Sequence, residues 1–202
     1  MAVIVVGGHS RNIGKTSVVA SLIARLPEYR WTAFKITQYG HGFCTADGKP
    51  CQCQTADSCI SLSAEQDSAS GTDTSRFLAA GAARSLWVRT RIGRLAEAMP
   101  RIEKELAASE NAILESNSIL EFLKPDLYLM VLDPSVADWK DSARRFLERT
   151  DAVLICSADS RQGFSAALDG KPRFPVAPPD YLSSEAVDFV RARLARTTPA
   201  VR

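Results

Sequence analysis

The residue types best suited to chemistry lie near the start of the chain, in a glycine-rich loop. Residues 3–6 are all β-branched and predict a buried strand, which runs directly into a pair of glycines. A polar stretch follows and ends at Gly14, after which Lys15 and Thr16 begin a predicted helix. Strand, glycine-rich loop and helix in this order predict a loop that binds the phosphates of a nucleotide.

The backbone of this loop can bind an anion before any side chain acts. Glycine accepts positive φ and leaves space for phosphate, so several backbone N–H groups can point inward. The positive end of the following helix adds to the same attraction. We expect the nucleotide to be bound by Gly8, His9, Ser10, Arg11, Asn12, Ile13, Gly14, Lys15, Thr16 and Ser17.

Two side chains at the end of the loop have specific expected roles. Lys15 should reach the β- and γ-phosphates, and the Thr16 hydroxyl should ligate Mg²⁺, with Ser17 as the alternative to Thr16. The loop is one residue longer than the common G-x-x-x-x-G-K-[ST] pattern, because His9 stands where that pattern has glycine. The longer form resembles the phosphate loop of dethiobiotin synthetase and of the cobyrinic acid amidating enzymes.

The order of the predicted elements indicates an α/β fold. The helix after the loop ends at Pro27, and residues 31–36 predict a second strand, so the first elements form a β-α-β unit with parallel strands. A later helix is predicted over residues 136–149. Further strands are predicted over residues 85–88, 112–115, 124–133 and 151–157. We predict that residues 1–202 form a single domain, a three-layer α/β/α sandwich with a mainly parallel sheet.

Charged side chains follow two of these strands, at the sheet edge where ligands bind in parallel α/β folds. Lys35 lies near the end of the second strand, where it would neutralise a phosphate or a substrate carboxylate; the alternative is a solvated lysine at a strand end. Glu115 ends an apolar strand, and its carboxylate can hold a Mg²⁺-bound water or orient an attacking one. The expected catalytic residues are therefore Lys15, Lys35 and Glu115, and the expected Mg²⁺ ligands are Thr16 and Glu115.

Two further segments resemble a known family. Residues 73–76 (DTSR) and 80–82 (AGA) resemble the D-[ST]-x-R…A-G-A segment of the molybdopterin-guanine dinucleotide biosynthesis protein B family. Glu115 and the serine after it resemble the E-G step of related P-loop proteins, with serine in place of glycine. The resemblance implies that Asp73 and Arg76 contact the metal or an anion beside the nucleotide. The local alternative is that Asp73 only caps a helix.

Membership of that family would place the chain in the signal-recognition, Min-type and biotin-synthesis class of P-loop NTPases. It implies binding of a purine nucleotide, GTP before ATP, together with slow Mg²⁺-dependent hydrolysis and a homodimer. The choice between GTP and ATP stays open, because the N-K-x-D motif of guanine-specific proteins is absent after the strand of residues 151–157.

Three functions fit these features. The first is nucleoside-triphosphate hydrolysis by an accessory factor in molybdopterin or other metal-cofactor assembly, which would act with a protein partner. The second is an ATP-dependent synthetase that activates a small carboxylate, with Lys35 between substrate and phosphate, similar to dethiobiotin synthetase. The third is a nucleotide-binding metallochaperone whose transfer function lies in its thiols.

A cysteine-rich stretch after the second strand is the most unusual region of the chain. Residues 42–71 show little apolar periodicity and predict an inserted loop. The stretch contains Cys44, Cys51, Cys53 and Cys59 in the pattern C-x6-C-x-C-x5-C. Four thiolates are enough for one tetrahedral Zn²⁺ or, less expected, for an iron–sulfur cluster; the alternative is a set of free or redox-active thiols.

Composition narrows the class of protein. The chain has 202 residues, of which 46% are hydrophobic and 24% charged, values typical of a soluble globular domain. A net charge of +2 is too small to indicate a nucleic-acid or membrane partner. No apolar stretch approaches membrane-spanning length and no secretion signal begins the chain. These features predict a cytoplasmic protein without a nucleic-acid or membrane partner.

Overall fold

The computed structural model describes residues 1–40, 60–156 and 166–197. Within these ranges the strands are β1 (Val3–Gly8), β2 (Trp31–Tyr39), β3 (Ile60–Ala64), β4 (Arg84–Arg91), β5 (Asn111–Glu115), β6 (Leu127–Leu132), β7 (Ala152–Ile155) and β8 (Arg173–Pro175). They form one sheet in the order β3-β4-β2-β5-β1-β6-β7-β8. Only the β3–β4 pair is antiparallel among these described strands. The sheet is therefore mainly parallel, with an antiparallel strand at one edge.

Helices cover both faces of this sheet. The α-helices in the described ranges are α1 (Lys15–Arg25), α2 (Asp73–Ala79), α3 (Leu95–Ala107), α4 (Asp141–Arg145) and α5 (Ser184–Thr197). Buried residues of α1, α2 and α5 pack together on one face, and those of α3 and α4 pack on the other. Successive residues of β6 alternate between these two cores, because side chains along a strand point to opposite faces. The predicted three-layer α/β/α sandwich is confirmed.

The strand order brings two charged residues beside the glycine-rich loop. β5 lies between β1 and β2, so that Glu115 pairs in register with Val6 on one side and with Lys35 on the other. All three strands are parallel, and their carboxyl ends meet at one edge of the sheet. This register explains why Lys35 and Glu115 are neighbours, as expected from the sequence.

Two predicted elements differ from the structure. The helix predicted over residues 136–149 is wrong at its start, because α4 begins only at Asp141. The residues before it bond to His9 of the glycine-rich loop: the Val136 carbonyl lies 3.0 Å from the ring Nε2, and the Lys140 N–H donates to the His9 carbonyl at 2.8 Å. Within the predicted insertion of residues 42–71, residues 60–64 form strand β3, which pairs with β4. The predicted metal ligands Cys44, Cys51, Cys53 and Cys59 lie outside the described residues.

None of the helices in the described ranges combines the length and the apolar character that a membrane-spanning helix requires.

Candidate functional site

The loop of residues 9–14 joins β1 to α1 and is shaped by close approaches to glycine. A side chain on Gly7 would overlap the Asn117 side chain and the Tyr128 hydroxyl. A Cβ atom on Gly8 would lie 2.8 Å from Cδ of Lys15, too close for ordinary packing. Gly14 has a φ of +86°, which glycine adopts without strain. These positions explain why β1 ends in two glycines and why the loop ends in a third.

Asn117 holds the start of the loop through both atoms of its amide. Its Oδ1 accepts a hydrogen bond from the Gly8 N–H at 2.9 Å, and its Nδ2 donates to the Gly8 carbonyl at 2.9 Å. Sequence reasoning missed this residue, although it follows β5 by two positions at the same sheet edge as Glu115. A polar side chain just past the strand was the available signal.

Lys15 extends along the inside of the loop. Its ammonium donates a hydrogen bond of 2.6 Å to the Ser10 carbonyl. Burial, followed by the positive charge of Lys140, lowers the pKa of Lys15 from its ordinary value of 10.5 to about 8. The charged form of Lys15 is thus energetically unfavourable inside the loop, and a bound anion would stabilise it.

Lys35 joins three oxygen-bearing residues from three different elements. Its ammonium lies 2.6 Å from Glu115 Oε1, 2.6 Å from Asp73 Oδ2 and 3.2 Å from the Thr16 hydroxyl oxygen. The Thr16 hydroxyl in turn donates to Glu115 Oε2 at 2.8 Å. Only 4% of the Glu115 side chain is exposed, against 44% for Asp73. We call Thr16, Lys35, Asp73 and Glu115 the acid–lysine cluster.

The charge of Lys35 is stabilised by its two carboxylate neighbours. Burial is the largest single influence and by itself lowers the pKa, but the charges and hydrogen bonds of Glu115 and Asp73 together outweigh it and raise the pKa above its ordinary value. The ammonium therefore occupies the position of a cation among three oxygens. Carboxylate and hydroxyl oxygens are the ligands that Mg²⁺ prefers, so the residues present fit that ion.

Helix α2 presents its first turn to the site. The Thr72 side chain caps the helix by accepting a hydrogen bond from the Ser75 N–H, and Asp73 is left to reach Lys35. Arg76, one turn later, donates to the Ser17 hydroxyl at 2.8 Å. The local alternative, in which Asp73 only caps the helix, is therefore wrong.

Residues 133–140, which we call the cover segment, lie against the first half of the loop. The buried His9 ring contacts Trp139, with ring centroids 4.9 Å apart, and His9 Nε2 lies 3.0 Å from the Val136 carbonyl. The Ser10 hydroxyl donates to Asp138 at 3.3 Å. The side chains of His9 and Ser10 are thus used to hold the cover segment, while their backbone remains in the loop.

The helix end of the loop meets two residues that sequence reasoning did not select. A Cβ atom built on Gly14 would lie 3.3 Å from the Tyr181 ring, and the Cys156 thiol donates to the Ile13 carbonyl at 3.2 Å. Burial, with a smaller effect of Asp133, raises the pKa of Cys156 to about 11, so the thiol is neutral near pH 7. Both residues follow short strands without any recognisable motif.

No protein-family model matches the chain, and no curated protein matches it. Solved structures are similar in fold. LpxK from Aquifex aeolicus, solved in complex with ATP, has a TM-score of 0.52 and 19% identity over 87% of this chain and 53% of LpxK. HypB from Helicobacter pylori, in complex with nickel, has a TM-score of 0.49 and 13% identity over 98% of this chain and 90% of HypB. MobB from Bacillus subtilis has a TM-score of 0.41 and 18% identity over 96% of this chain and 98% of MobB.

The chain spans about half the length of LpxK, 53% of it. Together with the strand–loop–helix geometry, the similarity to LpxK confirms the predicted P-loop NTPase fold. Among the described residues no group of three or more His, Cys, Asp or Glu side chains is placed to hold a metal ion. The oxygens of Thr16, Asp73 and Glu115 form a different kind of set, because it combines a hydroxyl with two carboxylates.

Proposed function

We propose that this protein binds and hydrolyses a purine nucleoside triphosphate, GTP or ATP, in the presence of Mg²⁺. The observation that carries the proposal is the acid–lysine cluster beside the phosphate loop. Two carboxylates, a hydroxyl and the Lys35 ammonium converge there from α1, α2, β2 and β5. Such a concentration of charge at the start of a helix suits a polyanion with its cation.

The phosphate tail would be bound by the loop backbone, by the start of α1 and by Lys15. In the structure the Lys15 ammonium is satisfied by a neutral carbonyl oxygen of Ser10. A phosphate oxygen carries a full negative charge and forms a stronger hydrogen bond with an ammonium group. Lys15 would therefore exchange Ser10 for phosphate, and its charge would no longer be costly.

Thr16, Asp73 and Glu115 would hold the Mg²⁺ ion, which neutralises charge on the phosphates when bound. The Lys35 ammonium cannot share the same three oxygens with a divalent cation, so Lys35 must release them and is then available to a phosphate. Glu115 keeps an oxygen near the site, where it can orient a water molecule. Arg76 holds Ser17 and thereby the first turn of α1. Catalysis by these residues is mainly positioning and charge neutralisation.

The biological role we propose is that of a cytoplasmic accessory factor in molybdopterin or other metal-cofactor assembly. The DTSR and AGA segments at residues 73–76 and 80–82 support this role through their family resemblance. The proposal includes a homodimer, a protein partner in cofactor assembly, and Zn²⁺ or an iron–sulfur cluster at the four clustered cysteines. Metal analysis of purified protein, compared with the Cys51→Ser and Cys53→Ser variants, tests the metal.

A second candidate function is an ATP-dependent synthetase acting on a small carboxylate. The position of Lys35 favours it, because this buried ammonium already holds two carboxylates at the sheet edge, of which Asp73 is 44% exposed. A substrate carboxylate would take the place of Asp73. A synthetase would cleave nucleotide only when its substrate is present, whereas a hydrolase would release phosphate from the nucleotide alone. A metallochaperone would instead carry stoichiometric metal through purification.

Ligand-induced stabilisation tests the main proposal. Unfolding of the protein with ATP or GTP and Mg²⁺ should show an increase of roughly 2.7 kcal/mol at a hundredfold excess over the dissociation constant. Lys15→Ala should abolish this increase, while Lys104→Ala, on the exposed side of α3, should leave it unchanged. Comparison of the two nucleotides identifies the base. An equal response in the Lys15 variant and the wild type would overturn the proposal.

A further inference from the structure

Lys140 lies at the end of the cover segment and is fixed by its backbone to the phosphate loop. Its N–H donates a hydrogen bond of 2.8 Å to the His9 carbonyl. Its own carbonyl accepts from Ala143 and Arg144 and so begins α4. The base of the Lys140 side chain is therefore held between the loop and a helix, in contact with the residue that precedes Ser10.

The ammonium of Lys140 has no hydrogen-bond or ion-pair partner among the residues that the structure describes. It nevertheless lies in the electrostatic field of the site. Burial lowers the pKa of Lys140, and the positive charges of Arg11 and Lys35 lower it further, while the carboxylates of Glu115 and Asp138 act in the opposite direction. Lys140 in turn lowers the pKa of Lys15.

The cations around the loop differ in whether they have an ion-pair partner within the described ranges. Lys35 is paired with the Glu115 and Asp73 carboxylates. No carboxylate within the described ranges forms an ion pair with Arg11, Lys15 or Lys140. Three positive charges near one loop repel each other, and this cost is relieved when a multiply charged anion binds among them.

The position of Lys140 selects one part of such an anion. The start of α1 takes the inner phosphates of a nucleotide, and the lysine of the loop reaches outward to the β- and γ-phosphates. The Lys15 ammonium lies at the Ser10 carbonyl, which marks the outer end of the loop. Lys140 is bonded to the adjacent residue, His9. The Lys140 backbone is therefore fixed at the same end of the loop as the Lys15 ammonium, the end at which we expect the terminal phosphate.

We propose that Lys140 binds the terminal phosphate of the nucleoside triphosphate and distinguishes a triphosphate from a diphosphate. This inference rests on the proposed nucleotide-binding function. Lys140 approaches from the β6 side of β1, whereas Lys35 approaches from the β2 side, so the two ammonium groups enclose the phosphate tail from opposite directions along the sheet. Lys140 would be a specificity-determining residue in direct contact with the ligand.

Calorimetry tests this inference. It gives the dissociation constants, with Mg²⁺ present, of the triphosphate and of the diphosphate of the preferred base. Because a hydrogen bond to a charged group contributes about 1.5–3 kcal/mol, Lys140→Ala should weaken triphosphate binding by about tenfold or more and diphosphate binding much less. Lys140→Gln, which keeps a polar end group but removes the charge, should behave like the alanine variant, and Lys140→Arg should retain most of the affinity. Lys104→Ala serves as the control, and unchanged unfolding of the unliganded variants shows that the fold is intact.

The outcomes separate the two proposals. Suppose that the wild type binds nucleotide. If Lys140→Ala and Lys140→Gln then bind it equally well, or lose the same affinity for the triphosphate and the diphosphate, the inference is overturned and the nucleotide-binding function stands. If the wild type binds no nucleotide, that function fails. Inorganic tripolyphosphate and pyrophosphate then serve as probes: a selective loss of tripolyphosphate binding in the Lys140 variants supports a terminal-phosphate contact, and equal binding overturns it.

Discussion

Replacement of Lys15 by methionine should stabilise the protein in the absence of nucleotide, although it removes the central phosphate-binding side chain. The Lys15 ammonium is held in the loop near Lys140, and both burial and that neighbouring charge oppose ionisation. Methionine has a similar length and no charge, so the unfavourable ammonium disappears while the packing along the loop is kept.

The size of the effect follows from the pKa of Lys15. Its lowering from 10.5 to about 8 corresponds, at 1.36 kcal/mol per pH unit, to about 3 kcal/mol near pH 7. Partial contact with solvent screens the charge and reduces this to about 2 kcal/mol. Loss of the hydrogen bond to Ser10 offsets about 1 kcal/mol. We therefore expect a net gain of about 1 kcal/mol in the free energy of unfolding.

The gain should depend on pH in a defined direction. Because the folded-state pKa of Lys15 is below its unfolded value, the unfolded chain binds more protons between pH 8 and 10.5. The cost of Lys15 in the wild type is complete below about pH 8 and decreases as the pH rises towards 10.5. The difference between the methionine variant and the wild type should shrink across this window.

Urea unfolding in anion-poor buffer at about pH 7 and about pH 9.5 measures both effects. Lys104→Met, on the exposed side of α3, is the matched control and should change neither value. A methionine variant at position 15 that is no more stable than the wild type at the lower pH would refute the reasoning. So would a difference that is the same at both pH values.

Three further predictions concern the residues around the loop. Lys35→Met should lower the free energy of unfolding by about 3 kcal/mol, because it leaves the buried Glu115 carboxylate without its partner. Thermal unfolding with added MgCl₂ should show that part of this stability is restored. Hydrogen bonds from the Thr72 hydroxyl and the Asp67 N–H lower the pKa of Glu65 to about 2. The wild type should therefore lose stability as the pH falls from 4.5 through 2, and Glu65→Gln should lack this loss in acid unfolding curves. Asn117→Ala should lower the free energy of unfolding in urea by about 2 kcal/mol and weaken nucleotide binding, since both hydrogen bonds to Gly8 disappear. A variant as stable as the wild type would contradict this role of the Asn117 amide.

The sequence by itself determined the elements of the fold and the core of the site. Strand, glycine-rich loop and helix are encoded by adjacent residues, so residues 3–16 were sufficient to predict them. Glu115 could be selected because it ends an apolar strand, and Lys35 because the predicted second strand ended near it, although β2 continues to Tyr39. Parallel strands bring such residues towards one edge of the sheet. The inference required only local patterns and a rule of topology.

Only the tertiary structure decided which side chains meet. The strand order places β5, with Glu115, between β1 and β2, and no local pattern encodes this register. It makes Lys35, which lies within β2, a paired and mostly buried ammonium. Asn117, Lys140 and Tyr181 come from connections after β5, β6 and β8, whose conformations depend on contacts distant in sequence. The helix predicted over residues 136–149 begins late for the same reason, because its first residues bond to the loop rather than to each other. The spacing of apolar residues in the sequence indicates local hydrogen bonding and burial. A site depends instead on contacts between distant segments, which come together only when the chain folds.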